Sequence, residues 1–333
     1  MQPDPDPDRE WRLAALVPMP AEAVRGFAPD LPVSVVVPEE RTSEAARAAV
    51  ADADLLLGDF TGLLKVDAAL VAAAPRLAFV QQPTVGVEHL DLAACAAAGI
   101  PVANTAGVNA VAVAEWCVMA ALAASRSLLW ADAEVRAGRW PQLDLAARGC
   151  LELAGRRVGI VGYGAIGALC AERFRAFGCD VAYWTRTPRP GDPACLPELD
   201  ELLARSDVLV VVIALGETTR GLLGEEALRR LPPGAVVVNA ARGGIVSEDA
   251  LLRLLDDGHL LGAALDVYDS EPLSEGSPLR AHDRVLLSPH VAGATAQARL
   301  RIALAVQANL RRAVSGEPVQ DVVNGVDPVV RRR

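Results

Sequence analysis

Residues 158–167 read VGIVGYGAIG, and this stretch decides the fold. A short run of apolar, mostly β-branched residues suits a buried parallel strand. It leads directly into Gly162, Gly164 and Gly167 in the order G-x-G-x-x-G, with Ala165 and Ile166 before the third glycine. Apolar residues then recur at Ile166, Leu169, Cys170, Phe174 and Phe177, a helical spacing, so the glycines occupy a strand-to-helix turn. There the first glycine permits a tight turn, the second lets the backbone approach a pyrophosphate, and the third lets helix pack on strand. The free N–H groups at the helix start then face an anion. The alternative is a glycine turn without a ligand; the strand before it and the helix after it favour a dinucleotide.

The alternation of apolar strand and helix continues on both sides. Downstream, residues 181–184, 208–213, 235–239, 262–266 and 285–287 read as further strands, with helices starting near Ala165, Leu196, Gly224 and Ser247. Six strands so joined fit a Rossmann dinucleotide-binding domain spanning 105–294. Upstream, strands at 12–17, 33–37, 54–57, 77–81 and 102–104 alternate with helices at 21–27, 45–51, 66–74 and 90–98, which implies a second, flavodoxin-like parallel sheet. A helix over 295–315 leaves the nucleotide domain, and 319–323 returns to the first sheet. The substrate domain is then discontinuous, 11–104 with 295–327. Residues 107–127 read as a candidate hinge helix, with Glu115 either on the surface or joining the domains; 130–140 read as helix and 143–153 as an irregular connection. The fold class is α/β, two open parallel-sheet domains with one inserted into the other.

A length of 333 residues suits two domains, and 52% apolar with 22% charged residues is a globular composition. The net charge is -10, the arginines are scattered and Lys65 is the only lysine, which argues against a nucleic-acid partner. The six cysteines form no C-x-x-C pair and read as buried reduced thiols. No His, Cys or carboxylate cluster has metal-site spacing, so no metal is expected. Residues 1–10 are acidic and proline-rich and read as a disordered tail without a signal peptide, which places the protein in the cytoplasm. Residues 108–124 are too short and too polar to span a bilayer, so no membrane association is expected.

Ligands of such sheets bind at the carboxyl ends of the strands, which puts Arg242, Asp266 and His290 beside one crevice. Arg242 follows the strand GAVVVNAA, where a guanidinium suits a carboxylate. His290 follows Ser288-Pro289 at the end of the last strand. Glu271, in ALDVYDSEP, is its candidate partner: a carboxylate on one imidazole nitrogen fixes the tautomer and favours the charged ring that a ketone needs as proton donor. His89, His259 and His282 lack such a setting.

The ordered motifs VGIVGYGAIG, NAARGGIVSEDAL, GAALDVYDSEP and SPHVAGAT, with NTAGVNAVAVAEW and AGRW before them, resemble the D-isomer-specific 2-hydroxyacid dehydrogenase family over nearly the whole chain, from about residue 11 to 324. The resemblance implies an oxidoreductase with catalytic Arg242, Glu271 and His290, and with Asp266 near the nicotinamide carboxamide. It also implies Val85 and Gly86 as a loop whose amides hold the substrate carboxylate. The cofactor-binding set it implies adds Ala214, Thr219, Ala240, Ala241 and Gly293. Relatives of this kind are usually homodimers through the nucleotide domain, for which residues 128–140 are a candidate surface.

A dinucleotide site selective for NAD ends its second strand in a carboxylate about 20 residues past the glycines. Here the strand is followed by Thr185, Arg186 and Thr187, whose hydroxyls and guanidinium suit a 2′-phosphate, so NADP(H) is expected over NAD(H). Phosphite dehydrogenases carry a lysine in place of Val85, and formate dehydrogenases lack the glutamate that Glu271 matches. The chain stops soon after Asn324, without room for the regulatory domain of many phosphoglycerate dehydrogenases, and no arginine stands in the 58–61 loop. The loop Thr84-Val85-Gly86 looks more like that of glyoxylate and hydroxypyruvate reductases, so the expected substrate is a small, unphosphorylated 2-oxo or 2-hydroxy acid. A dinucleotide-binding sensor or scaffold with little turnover stays open as the alternative.

Overall fold

The computed structural model describes residues 9–189 and 191–333, which divide into two compact units: the chain up to Asn109 together with Ala296–Arg333, and Ala110–Thr295. Most of the expected tail lies outside the described residues. Its end is corrected, because the Arg9 guanidinium lies 2.5 Å from the buried Asp54 carboxylate and ties residue 9 to the first unit.

The first unit opens with β1 (Trp11–Ala15), α1 (Ala21–Arg25), β2 (Val33–Val36), α2 (Ser43–Val50), β3 (Leu55–Leu57), α3 (Ala68–Ala72), β4 (Phe79–Gln81), α4 (Leu92–Ala97) and β5 (Val102–Ala103). Side-chain oxygens of Thr42, Asp67 and Asp91 accept from the first-turn N–H groups of α2, α3 and α4, which fixes where those helices start. The strands are parallel in the order β2-β1-β3-β4-β5, the flavodoxin-like order. Alternate residues feed two cores, as the two-residue period of a strand requires. Leu13, Leu55, Leu57 and Phe79 pack with Val306 and Leu310 of the final helix, Ala296–Ser315, while Leu56, Val80 and Val102 pack with Val50, Leu70 and Cys95. Residues 319–323 return to this sheet through one antiparallel bridge, Ala103 to Val322, and through Val323 N–H donating to Val102.

The second unit contains α5 (Ala110–Ser125), α6 (Leu128–Arg136), α7 (Gln142–Ala147), β6 (Arg157–Val161), α8 (Ala165–Ala176), β7 (Asp180–Trp184), α9 (Leu199–Ala204), β8 (Val208–Val211), α10 (Glu225–Arg229), β9 (Ala235–Asn239), α11 (Glu248–Asp256), β10 (Leu260–Leu265) and β11 (Val285–Leu287). Its sheet is parallel in the order β11-β10-β9-β8-β6-β7. A single bridge from Tyr183 to Cys195 stands beyond β7, where the third strand of a doubly wound sheet belongs. Val161, Leu209, Val211 and Val237 face α9, α10 and α11; Val158, Ile160, Val208, Val210 and Val236 face α5 and α8. Both faces are covered, which is why these strands read as continuous apolar runs.

α5 is apolar around most of its circumference because it lies inside this unit, with twelve of its sixteen residues buried. No single helix among the described residues is long and apolar enough to cross a membrane. Glu115 on α5 is exposed and lies 3.7 Å from Arg173 of α8, in the same unit. The irregular connection expected over 143–153 is corrected, since its first part is α7. That helix buries none of its residues, so it has no apolar face to read as a period; Gln, Leu and Ala propensity after Pro141 starts it instead.

Candidate active site

The glycine turn joins β6 to α8, between the two strands that flank β6 on opposite sides, where a doubly wound sheet binds its ligand. The three glycines do three different things. Gly162 sits at φ 101°, and a Cβ there would lie 2.8 Å from the Ile213 backbone. A Cβ on Gly167 would lie 2.1 Å from the Gly162 carbonyl, so helix and strand meet only without one. A Cβ on Gly164 would meet nothing within 4 Å. Gly164 therefore leaves open space above the first turn of α8, beside Ala165 and Ile166, and no side chain caps those N–H groups. A pyrophosphate fits such a cradle.

Thr185, Arg186 and Thr187 follow β7, Arg186 and Thr187 exposed, and no hydrogen bond or ion pair joins Arg186 to another described residue. Nothing in the pattern of residues marks Arg189. Its guanidinium lies 5.1 Å from the centre of the Tyr163 ring and donates to the Tyr163 carbonyl at 3.0 Å, so a second cation is fixed beside the glycine turn. Tyr163 itself stacks on Tyr183 of β7. Ala214 and Thr219 follow β8. Thr219 is buried, and its hydroxyl donates to the Ala214 carbonyl and accepts from Gly216 N–H, so it shapes that loop from within.

Ala240, Ala241 and Arg242 follow β9. Asn239, the polar last residue of that strand, lies beneath them: its Oδ1 accepts from Ala241 N–H and its Nδ2 donates to the Arg242 carbonyl. A polar residue ending an apolar strand was the sequence signal for it. The next glycine is fixed by space, since a Cβ on Gly243 would lie 1.8 Å from the Tyr268 carbonyl oxygen. Gly244 N–H donates to the Asp269 carboxylate at 2.6 Å. The Arg242 loop is thereby pinned to the loop carrying Glu271.

Glu271 and His290 meet: His290 Nδ1 and Glu271 Oε2 are 2.8 Å apart, and the other carboxylate oxygen accepts from Tyr268 N–H. Burial pushes the Glu271 carboxyl up, but the bond to His290, the charges of His290 and Arg242 and the Tyr268 N–H outweigh it and hold it below its ordinary value. The His290 side chain remains 46% exposed, so its Nε2 edge is available to a ligand. His290 has φ 54°, a left-handed conformation that a non-glycine residue adopts only under constraint. Asp266 supplies the constraint. Its carboxylate, 2% exposed, accepts from Ser288 Oγ and from the N–H groups of Val291 and Ala292, and its carbonyl accepts from His290 N–H. Gly293 follows in the same turn, half-buried.

Val85 and Gly86 belong to the first unit, in the loop after β4, half-buried. Nearby, at the end of β3, Arg41 reaches the 58–61 loop, where its guanidinium bonds the Asp59 carboxylate at 2.5 Å, Thr61 Oγ1 at 3.0 Å and the Leu16 carbonyl at 2.8 Å. Burial pushes Asp59 up, but Thr61, Leu64 and Arg41 together lower it, so the pair is charged and internally matched.

Residues 118–292 match the model of the NAD-binding domain of the D-isomer specific 2-hydroxyacid dehydrogenases. The chain is 39% identical over 281 residues to D-3-phosphoglycerate dehydrogenase of Mycobacterium tuberculosis, covering 83% of this chain and 52% of that protein. It thus spans about half the length of the curated phosphoglycerate dehydrogenases it matches. It is 37% identical to glyoxylate reductase of Thermofilum pendens, covering 83% of this chain and 82% of that one. Among solved structures, the NADPH-dependent glyoxylate/hydroxypyruvate reductase of Sinorhizobium meliloti, in complex with NADP and malonate, superposes with a TM-score of 0.84 at 30% identity, covering 98% of this chain and all of that one. With its family model spanning more than half of the chain and relatives this similar along most of it, the chain belongs to the D-isomer-specific 2-hydroxyacid dehydrogenase family.

Proposed function

We propose that this chain reduces a small, unphosphorylated 2-oxo acid such as glyoxylate or hydroxypyruvate with NADPH, and in reverse oxidises the matching D-2-hydroxy acid. The observation that carries this reading is the 2.8 Å contact of His290 with Glu271 on a half-exposed ring, with the Arg242 charge near enough to lower Glu271. When bound, the reduced nicotinamide supplies the hydride. His290 donates the proton to the substrate oxygen, Glu271 keeps that ring oriented, and Arg242 stabilises the negative charge that develops on the oxygen. The amides of Val85 and Gly86 receive the substrate carboxylate.

The preference for NADPH rests on Thr185, Arg186 and Thr187 where a carboxylate would repel a 2′-phosphate, and on Arg189 held beside them by Tyr163. The unphosphorylated substrate rests on Arg41, whose charge Asp59 already satisfies. Measuring kcat/KM for glyoxylate, hydroxypyruvate and 3-phosphohydroxypyruvate with each cofactor tests both. The highest values are expected with NADPH and an unphosphorylated acid. A strong NADH preference refutes the cofactor reading, a preference for the phosphorylated acid refutes the substrate reading, and NADPH binding without turnover of any acid leaves a scaffold.

We also infer that the protein works as a homodimer. Leu128, Leu129 and Val135 of α6, with Trp140 and Leu143, are large apolar side chains left in water, Leu143 at 84% exposure. Covering such a patch is the usual use of one. Light scattering should give the mass of two chains for the wild type and of one for Leu143→Glu combined with Trp140→Glu. A monomeric wild type at micromolar concentration removes the inference.

A further inference from the structure

Three consecutive carbonyls in the loop after β4 are each bonded, and the three amides that share their peptide planes are not. Thr105 N–H donates to the Thr84 carbonyl at 3.1 Å, Asn104 Nδ2 to the Val85 carbonyl at 2.8 Å, and Thr84 Oγ1 to the Gly86 carbonyl at 2.8 Å. In a trans peptide the N–H points opposite to the C=O of the same plane. Each anchored carbonyl therefore turns the N–H of its own plane, that of Val85, Gly86 or Val87, away from its anchor, and none of the three bonds to another described residue. Successive unpaired, half-buried amides are donors that an anion can satisfy.

We propose that Asn104 and Thr84 are positioning residues that preset this loop as a three-amide receptor for the substrate carboxylate, with Val87 supplying the third amide. The inference rests on the functional reading above and names the side chains that make its carboxylate site. Asn104 follows β5 and is 7% exposed, and its backbone is fixed separately, by Asp321 through its N–H and by Gln81 through its carbonyl. Its side-chain amide is thus free to serve the loop alone, and its Oδ1 is buried without a described partner. Thr84 is oriented in turn by fully buried Gln82, whose Nε2 donates to Thr84 Oγ1 at 2.7 Å and to the Asp59 carbonyl at 3.2 Å. The chain of bonds runs from Gln82 to the Thr84 hydroxyl to the Gly86 carbonyl, so one hydroxyl carries the direction of a peptide plane.

The test compares Asn104→Ala, Thr84→Val and Thr84→Ser in steady-state glyoxylate reduction, with NADPH affinity from fluorescence titration and thermal melts as controls. Asn104→Ala and Thr84→Val should each raise KM for glyoxylate about five- to tenfold, the loss of one net hydrogen bond, with kcat changed by less than about twofold. NADPH affinity should be unchanged, and Thr84→Ser, which keeps the hydroxyl, should return KM to the wild-type value. Wild-type KM in both deletion variants overturns the proposal, as does a KM rise that Thr84→Ser fails to restore. If the wild type reduces none of the acids, the functional reading is what fails, and the receptor is tested by calorimetry with oxalate. Binding to wild type but more weakly to Asn104→Ala upholds it; equal binding to both, or binding to neither, overturns it.

Discussion

At the carboxyl ends of β9, β10 and β11 the second unit presents side chains, Arg242, Glu271 and His290, with the Arg242 loop held by Asn239 and Asp269 and the His290 turn held by Asp266. At the carboxyl end of β4 the first unit presents main-chain N–H groups, fixed from below by Asn104 and Thr84. Both sheets are parallel and both use their strand ends, yet the supports differ. A side-chain site depends on which residue stands at each position, and its supports tolerate little change of shape: Gly243 has no room for a methyl group, and His290 sits at a positive φ. A main-chain site depends on which way peptide planes face, so the residues carrying its amides are ordinary and the specific residues are one layer beneath.

The largest effect that separates the two kinds of site should come from His290. His290→Ala should lower kcat roughly 10²- to 10⁴-fold, the span of a lost general acid, while NADPH still binds; undiminished turnover would break the assignment of chemistry to the second unit. Gly243→Ala tests the support without touching the chemistry. Its new methyl group would overlap the Tyr268 carbonyl, so the Arg242 loop must shift, and kcat/KM should fall on the order of 10²-fold, the cost of a misplacement near 1 Å. If Gly243→Ala keeps wild-type kcat/KM, the support is not what holds Arg242 in place.

The smallest effect is on stability against acid. The Glu271 carboxyl is held below its ordinary 4.5 in the folded protein, so its contribution is complete above pH 4.5 and is lost as pH falls through the lowered folded value. The melting temperature of the wild type should therefore drop more steeply below pH 4.5 than that of Glu271→Gln, which has no carboxylate to protonate. Parallel curves would mean that the His290 contact adds nothing to folding.

Much of the second unit was legible because its signals are local. VGIVGYGAIG names strand, turn and helix within ten residues, and all six expected strands occur within two residues of where the apolar runs begin or end. Arg242, Glu271 and His290 stood out through the motifs around them, although the contact of Glu271 with His290 joins positions 19 residues apart in separate loops. What escaped reading has no local pattern. α7 buries no face, Arg189 is an arginine among prolines, and Arg41 reaches across 18 residues to its carboxylate.

Residue type and spacing along a few adjacent positions were enough to specify the two parallel sheets and the glycine turn, and the motifs around Arg242, Glu271 and His290 marked those residues as candidates. It took the folded chain to bring Asp266 under the His290 turn from 24 residues away, to set Gly243 against Tyr268, and to anchor three successive loop carbonyls while leaving the amides of the same peptide planes unpaired. Those are directions and distances between segments that pair only once the strands stand side by side, and a linear pattern carries no record of them.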